Sequence, residues 1–245
     1  MYRGRCVSAA MSFAAAFVVC SVCVSAGPTR AGDDGAQFLL FSGADLWRDG
    51  RFVHGGLLWS PGGLDNEGFT FQLVTSGGLY RYRSGTLNNA EVIGTEAEVQ
   101  LLPGWRFKRD RLEVKVFAGL DVKNNVTSPD DPSNRLHGTS AGIRTAVNLW
   151  FEPTPASMVA VDASLSSIAA GYSARAAYGW KLQDWFYLGP EAQTFACVGY
   201  RQLRFGLHMT GLKTGDWEWS AAAGWSHDSD HRSSPYLRLG VLTRR

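Results

Sequence analysis

The sequence predicts an all-β protein: an antiparallel up-and-down β-barrel of about 12 strands, of the outer-membrane type. Three observations predict it. Beyond residue 36, apolar side chains recur with period two, and no stretch shows convincing helical periodicity. No apolar run there is long enough to cross a bilayer as a helix. Clusters of Gly, Pro, Asn and Asp interrupt the alternation at short intervals, as turns between strands do.

The N-terminus stands apart from this pattern. Arg3 and Arg5 are followed by an uncharged, small and apolar stretch from Cys6 to Ala26, and Val24-Ser25-Ala26 has the small residues a signal peptidase reads. Residues 1–26 are therefore expected to be a secretory signal peptide, with the mature chain beginning at Gly27 or, less favourably, at Ala31, after Arg30. The same stretch is also long enough to serve as an uncleaved anchor. Residues 27–36 form a short linker, and residues 37–245 form the barrel domain.

Charge and cysteine follow this division. The chain has 24 Lys+Arg and 22 Asp+Glu; the signal holds two of the Arg and no acid, so the remainder is balanced. A balanced chain argues against nucleic acid or a strongly acidic partner. Three of the four cysteines lie in residues 1–26, leaving Cys197 alone and no internal disulfide.

The strands are expected in order as follows. Phe38–Trp47 and Phe52–Trp59 flank Asp49-Gly50, a dipeptide suited to a tight hairpin. Further strands are expected near 68–76, 91–101, 111–121, 139–150, 158–167, 172–180, 186–196, 200–210, 216–226 and 235–242. Pro61-Gly62-Gly63, Pro103-Gly104 and Pro153-Thr154-Pro155 read as turns between them. Lengths of about 8–11 residues suit tilted membrane strands. The clearest alternation is at 111–121, where Leu112, Val114, Val116, Ala118 and Leu120 oppose Arg111, Glu113, Lys115 and Asp121.

Alternation alone does not say which face meets water. A soluble periplasmic barrel points its apolar face inward, and a membrane barrel points it outward. Three features favour the membrane. The longest polar connections, 123–137 and 227–234, fall at one end, and the turns after even-numbered strands look short. Trp59, Trp105, Trp150, Trp180, Trp185, Trp217 and Trp219 gather at the short-turn end, as an interfacial girdle would. The polar faces carry single charges in mid-strand: Glu96, Glu98, Lys115, Arg144, Arg175, Arg204 and Arg238. A polar lumen solvates and pairs such groups. The last strand ends Leu242-Thr243-Arg244-Arg245, without the terminal aromatic residue of many outer-membrane barrels.

Few residues point to chemistry. Gly138-Thr139-Ser140-Ala141-Gly142 matches the string of a serine nucleophile elbow, with His137 beside it. An elbow needs a helix after the turn, and here the strand pattern continues. A lipid- or glycan-modifying barrel hydrolase built on Ser140 and His137 is one alternative reading, and a soluble periplasmic glycan-binding barrel is another. His227-Asp228-Ser229-Asp230-His231 has the residue types of a metal site but reads as a solvated loop. Asn125-Val126-Thr127 matches a glycosylation sequon. Tyr80 and Tyr82, between Arg81 and Arg83, offer aromatic faces to sugar rings; with Arg144, Arg175, Arg204 and Arg238 they are the candidate binding residues of the lumen or rim. No zinc, phosphate-loop or dinucleotide motif is present, so no catalytic residue, metal or cofactor is expected.

The segments Phe41-Ser42-Gly43-Ala44-Asp45-Leu46-Trp47-Arg48-Asp49-Gly50, Gly55-Gly56-Leu57-Leu58-Trp59-Ser60-Pro61-Gly62-Gly63, Gly77-Gly78-Leu79-Tyr80-Arg81-Tyr82 and Leu101-Leu102-Pro103-Gly104-Trp105 resemble the bacterial cellulose biosynthesis family BcsS. The resemblance runs from about Gln37 to the C-terminus. It implies a part in cellulose production or secretion; joined to the barrel reading, it makes a noncatalytic accessory in the outer membrane the expected function. The implied partners are membrane lipid, a cellulose or glucan chain and other cellulose-synthesis components. It carries over no catalytic residue.

Overall fold

The computed structural model describes residues 35–245; the expected signal peptide and its cleavage site lie outside the described residues. The strands are β1 (Phe38–Trp47), β2 (Gly50–Trp59), β3 (Gly68–Ser84), β4 (Ala90–Arg109), β5 (Leu112–Ser128), β6 (Gly138–Thr154), β7 (Ser157–Ser166), β8 (Gly171–Leu182), β9 (Phe186–Cys197), β10 (Tyr200–Thr214), β11 (Trp217–Asp228) and β12 (Ser233–Arg244). Each pairs antiparallel with its sequence neighbours, and β1 pairs with β12 from Leu39↔Arg244 to Trp47↔Tyr236, so the sheet closes on itself. Closure gives every strand a neighbour on both sides, which is the condition for a sheet to sit in hydrocarbon.

The period-two pattern sorts the side chains as the sequence suggests. Leu40, Val53, Val99, Leu120, Ile143, Val147, Leu165, Leu203, Phe205, Leu207 and Leu239 are large, apolar and exposed on the outside. The opposite positions carry Glu98, Arg106, Asp121, Glu191, Arg204 and His208, all buried inside. A soluble barrel would reverse these faces. The outer surface turns polar towards one end: Arg81 lies 4.0 Å from Glu91, and Asn124 donates to Thr139. At the other end Trp59, Trp105, Trp180, Trp185, Trp217 and Trp219 are exposed in a ring. Trp150 does not belong to it. Its β6 position faces inward, where its ring packs edge-on against Tyr187 and its Nε1 donates to Glu152.

Two expectations about the strands need correction. Pro103-Gly104 is not a turn but lies within β4. Pairing with β3 runs straight through Phe71↔Pro103, while pairing with β5 lapses between Leu101↔Leu120 and Gly104↔Phe117. That lapse accommodates a residue with no N–H to give. The hairpin sits at Asp110-Arg111 instead, with Asp110 in the left-handed region. Strand lengths also exceed the expected 8–11 residues, reaching 17 to 20 in β3, β4, β5 and β6.

The turns are distributed less simply than expected. The longest connection, 129–137, is at the even-to-odd opposite end as anticipated, but the β11–β12 connection shrinks to 229–232. The β2–β3 connection, 60–67, lies at the tryptophan end and is the second longest. It is long because it folds into the barrel mouth. Leu64 packs with Leu58, Leu102 and Phe117, its N–H donates to Ala36, and the Arg106 guanidinium donates to its carbonyl.

Candidate functional site

At the end away from the tryptophan ring the barrel opens into a vestibule of about 780 Å³. Cavities of roughly 300–1,000 Å³ are the usual size for small-ligand sites. The vestibule wall is aromatic on the β1–β4 side, and cross-strand pairing explains how. Trp47 stands opposite Gly50, Phe52 opposite Gly78, and Tyr80 opposite Gly94. A Cβ on those glycines would lie 2.1, 2.4 and 2.2 Å from the respective rings. Each ring therefore lies flat over the bare backbone of its partner. Trp47 and Phe52 are near-parallel, with centroids 5.7 Å apart, and Tyr80 and Tyr82 are 6.0 Å apart at 22°.

The β5–β6 connection reaches the hydroxyl ends of these tyrosines. Asp131 accepts from Tyr82 Oη at 2.8 Å, from Ser133 Oγ at 2.6 Å and from the Ser133 N–H at 3.0 Å. These donors hold its carboxyl well below the usual carboxylate range, the Ser133 hydroxyl first among them. Asn134 donates to both Tyr80 and Tyr82, and Asn125 donates to Tyr80 Oη at 2.7 Å. The sequon asparagine is thus fully buried in this network.

A layer of ion pairs forms the floor. Arg144 donates to Glu98, Asp121 and Ser164; Lys123 lies 2.8 Å from Glu96. Arg204 donates to Asp45 at 2.5 Å and to Gln202 at 2.7 Å, with its guanidinium 4.7 Å from the Trp47 ring centroid. Arg175 and Arg238 lie deeper. Both donate to Glu191, and Arg175 also reaches Asp162 at 2.9 Å. Beneath them the Leu58–Leu64–Leu102–Phe117 cluster and a second cluster of Met158, Ala160, Tyr187 and Trp150 fill the tryptophan end. Arg204, His208, Leu102 and Met158 are at most 1% exposed, so side chains occupy the middle and lower lumen.

Of the candidate binding residues, Tyr80, Tyr82, Arg144 and Arg204 line the vestibule, whereas Arg175 and Arg238 belong to the packed layer below. Trp47, Phe52 and Asp131 were not singled out from sequence. The first two had a signal in the glycines that follow aromatic residues, but only strand register pairs them. Asp45, Asp49, Glu96, Glu98, Asp131 and Asp230 balance six Lys and Arg in the lining.

The other motifs acquire structural roles. Ser140 lies in β6 with no helix after it, and exposed His137 is 3.3 Å from Asp130. Among the described residues no hydrogen bond joins Ser140 to His137. In 227–231 the Asp228 carboxylate accepts the Asp230 and Arg232 N–H groups and closes a turn. Among the described residues no three potential ligands gather around a metal position.

A closed antiparallel barrel, apolar outside and charged within, defines an outer-membrane-type β-barrel, here with one blind vestibule. The model of the family described as "Cellulose biosynthesis protein BcsS" matches residues 39–245, and the chain belongs to that family. No curated protein matches the chain. Among solved structures it is similar to the KdgM porin, at 11% identity over 84% of this chain and 98% of that chain, with a TM-score of 0.48. It is similar also to LpxR from Salmonella typhimurium, at 11% identity over 84% and 99% with a TM-score of 0.48. The translocator domain of the autotransporter NalP from Neisseria meningitidis matches at 13% over 86% and 89%, with a TM-score of 0.47.

Proposed function

We propose that this protein is a noncatalytic accessory of cellulose production or export, resident in the outer membrane. The observation that carries the location is the apolar outer belt of a closed barrel, ended by tryptophans on one side and by charges on the other. Family membership carries the pathway. The noncatalytic reading is supported by the strand that continues through Ser140, where a nucleophile elbow would turn into a helix. The start of β1, the end of β12 and the tryptophan ring then face the periplasm, and the vestibule faces outward.

Cell fractionation combined with gene deletion tests this reading. The protein is expected in outer membranes, running at different gel positions before and after boiling. N-terminal sequencing is expected to find Gly27 first. Deletion is expected to change the amount or location of cellulose, and Ser140→Ala is expected to restore the wild-type phenotype. Release of wild-type protein by osmotic shock would place it in the periplasm instead. Loss of function in folded Ser140→Ala would make the barrel an enzyme.

A further inference from the structure

We infer that the vestibule is a blind binding site for a short run of neutral, all-equatorial pyranose chain, a β-linked glucan end or loop presented from outside the cell. The inference rests on the family reading for the choice of glucan, and on the vestibule for everything else.

Three features define the ligand class. Phe52 and Tyr80 lie flat against the wall because Gly78 and Gly94 leave room beneath them, and Tyr82 extends the surface. Each ring backed in this way presents its other face to the cavity. A glucose ring with all substituents equatorial has flat C–H faces that match an aromatic face, which is electron-rich and apolar. An α-linked glucan curves away from such a plane. Hydroxyl edges meet Glu96 and Lys123, which line the same cavity on β4 and β5 beside Tyr80. Those charges are already paired at 2.8 Å, and the lining as a whole is balanced, so no surplus of cations invites an acidic polysaccharide. Finally, the floor of Arg144 and Arg204 ion pairs stops the chain from threading through.

The test is calorimetry on the full barrel in detergent, with cellohexaose, maltohexaose and hexagalacturonate as probes. Saturable binding of cellohexaose is expected, with the other two at least roughly tenfold weaker. Tyr80→Phe keeps the ring and is expected to bind; Tyr80→Leu and Tyr82→Ala are expected to weaken binding by roughly tenfold. The boiling-dependent gel shift reports folding of every variant. Should Tyr80→Leu fail to fold, Tyr82→Ala carries the comparison. Absence of saturable binding to folded wild type, equal binding of hexagalacturonate, or full binding by folded Tyr82→Ala would overturn the inference. A deletion strain with altered cellulose but a barrel that ignores cellohexaose would sink the vestibule site and spare the accessory role. Binding without any cellulose phenotype would do the reverse.

Discussion

On β5 one residue step moves a side chain from lipid to lumen. Leu120 is exposed on the outer face between girdle and polar rim, while Lys115 points inward, 2.6 Å from Glu113. Arg in place of Leu120 puts a cation into hydrocarbon and is expected to cost roughly 2–4 kcal/mol in detergent-to-bilayer unfolding measurements. The same change at Val116 is expected to cost less, because Val116 pairs with Trp105 at girdle depth. Lys115→Arg keeps the charge beside Glu113 and is expected to stay within about 0.5 kcal/mol of wild type. Asp131 makes a different prediction at the rim. Its carboxyl titrates below the usual range because Ser133 and Tyr82 donate to the ionised form. The sign follows from linkage: the clasp is fully present above the ordinary carboxylate value near 3.9 and is lost only as pH falls through the lower folded value. Proteolysis within 129–137 is therefore expected to be flat from pH 7 to about 4 and to rise only in stronger acid. Asp131→Asn is expected to expose the connection already at pH 7.

Element by element, the barrel shows what local sequence carries and what it does not. Alternation along 111–121, 143–149 and 203–209 reports burial directly, because each strand separates two solvents and every second residue must match one of them. Turn chemistry is less transferable. Gly77-Gly78 reads as the end of β3, yet β3 continues to Ser84. The glycine is there for Phe52 on the neighbouring strand, a demand invisible to any window along one strand. The same blindness hid the flat packing of Trp47 on Gly50, while Tyr80, Tyr82, Arg144 and Arg204 were legible as polar-face residues. Arg175 and Arg238 carried an identical signal, since depth along the barrel axis depends on stagger between strands rather than on side-chain type. Glycine substitutions test the packing account. A Cβ at Gly119 would lie 2.0 Å from the Leu101 carbonyl oxygen, a backbone atom that cannot swing aside. Gly119→Ala is expected to destabilise the barrel by roughly 1–3 kcal/mol in urea unfolding. Gly62→Ala, with nothing within 4 Å, is expected to leave stability unchanged.

For the whole molecule, the order of layers decides whether the barrel conducts. From the outside inward, the path meets a vestibule, an ion-paired floor, the Glu191 cluster and then the two apolar clusters around Leu64 and Met158. These barriers act in series: the vestibule floor bars a chain as wide as a sugar, and each of the two layers below it bars a small ion. They also differ in physics. In the upper barrier, removing one partner leaves the others buried and unpaired, at a cost of about 3–5 kcal/mol. The lower one excludes water where Leu58, Leu64, Leu102 and Phe117 pack together and their side chains offer it no partner. Planar-bilayer recording is expected to show no steady current from the wild type. Replacing Glu191, Asp162, Arg175 and Arg238 together by Ala removes the middle layer without stranding a charge, and the variant is expected to remain silent because the Leu64 cluster still closes the periplasmic end. Adding Leu64→Ser and Leu102→Ser wets that end, and only this combined variant is expected to pass current. Steady openings of the wild type would show that the charged layers part on their own, and the barrel would then be a conduit rather than a cup. Silence of a folded combined variant would mean that the 60–67 connection occludes the mouth by its backbone, held there by Ala36 and Arg106, and not by the apolar side chains it carries.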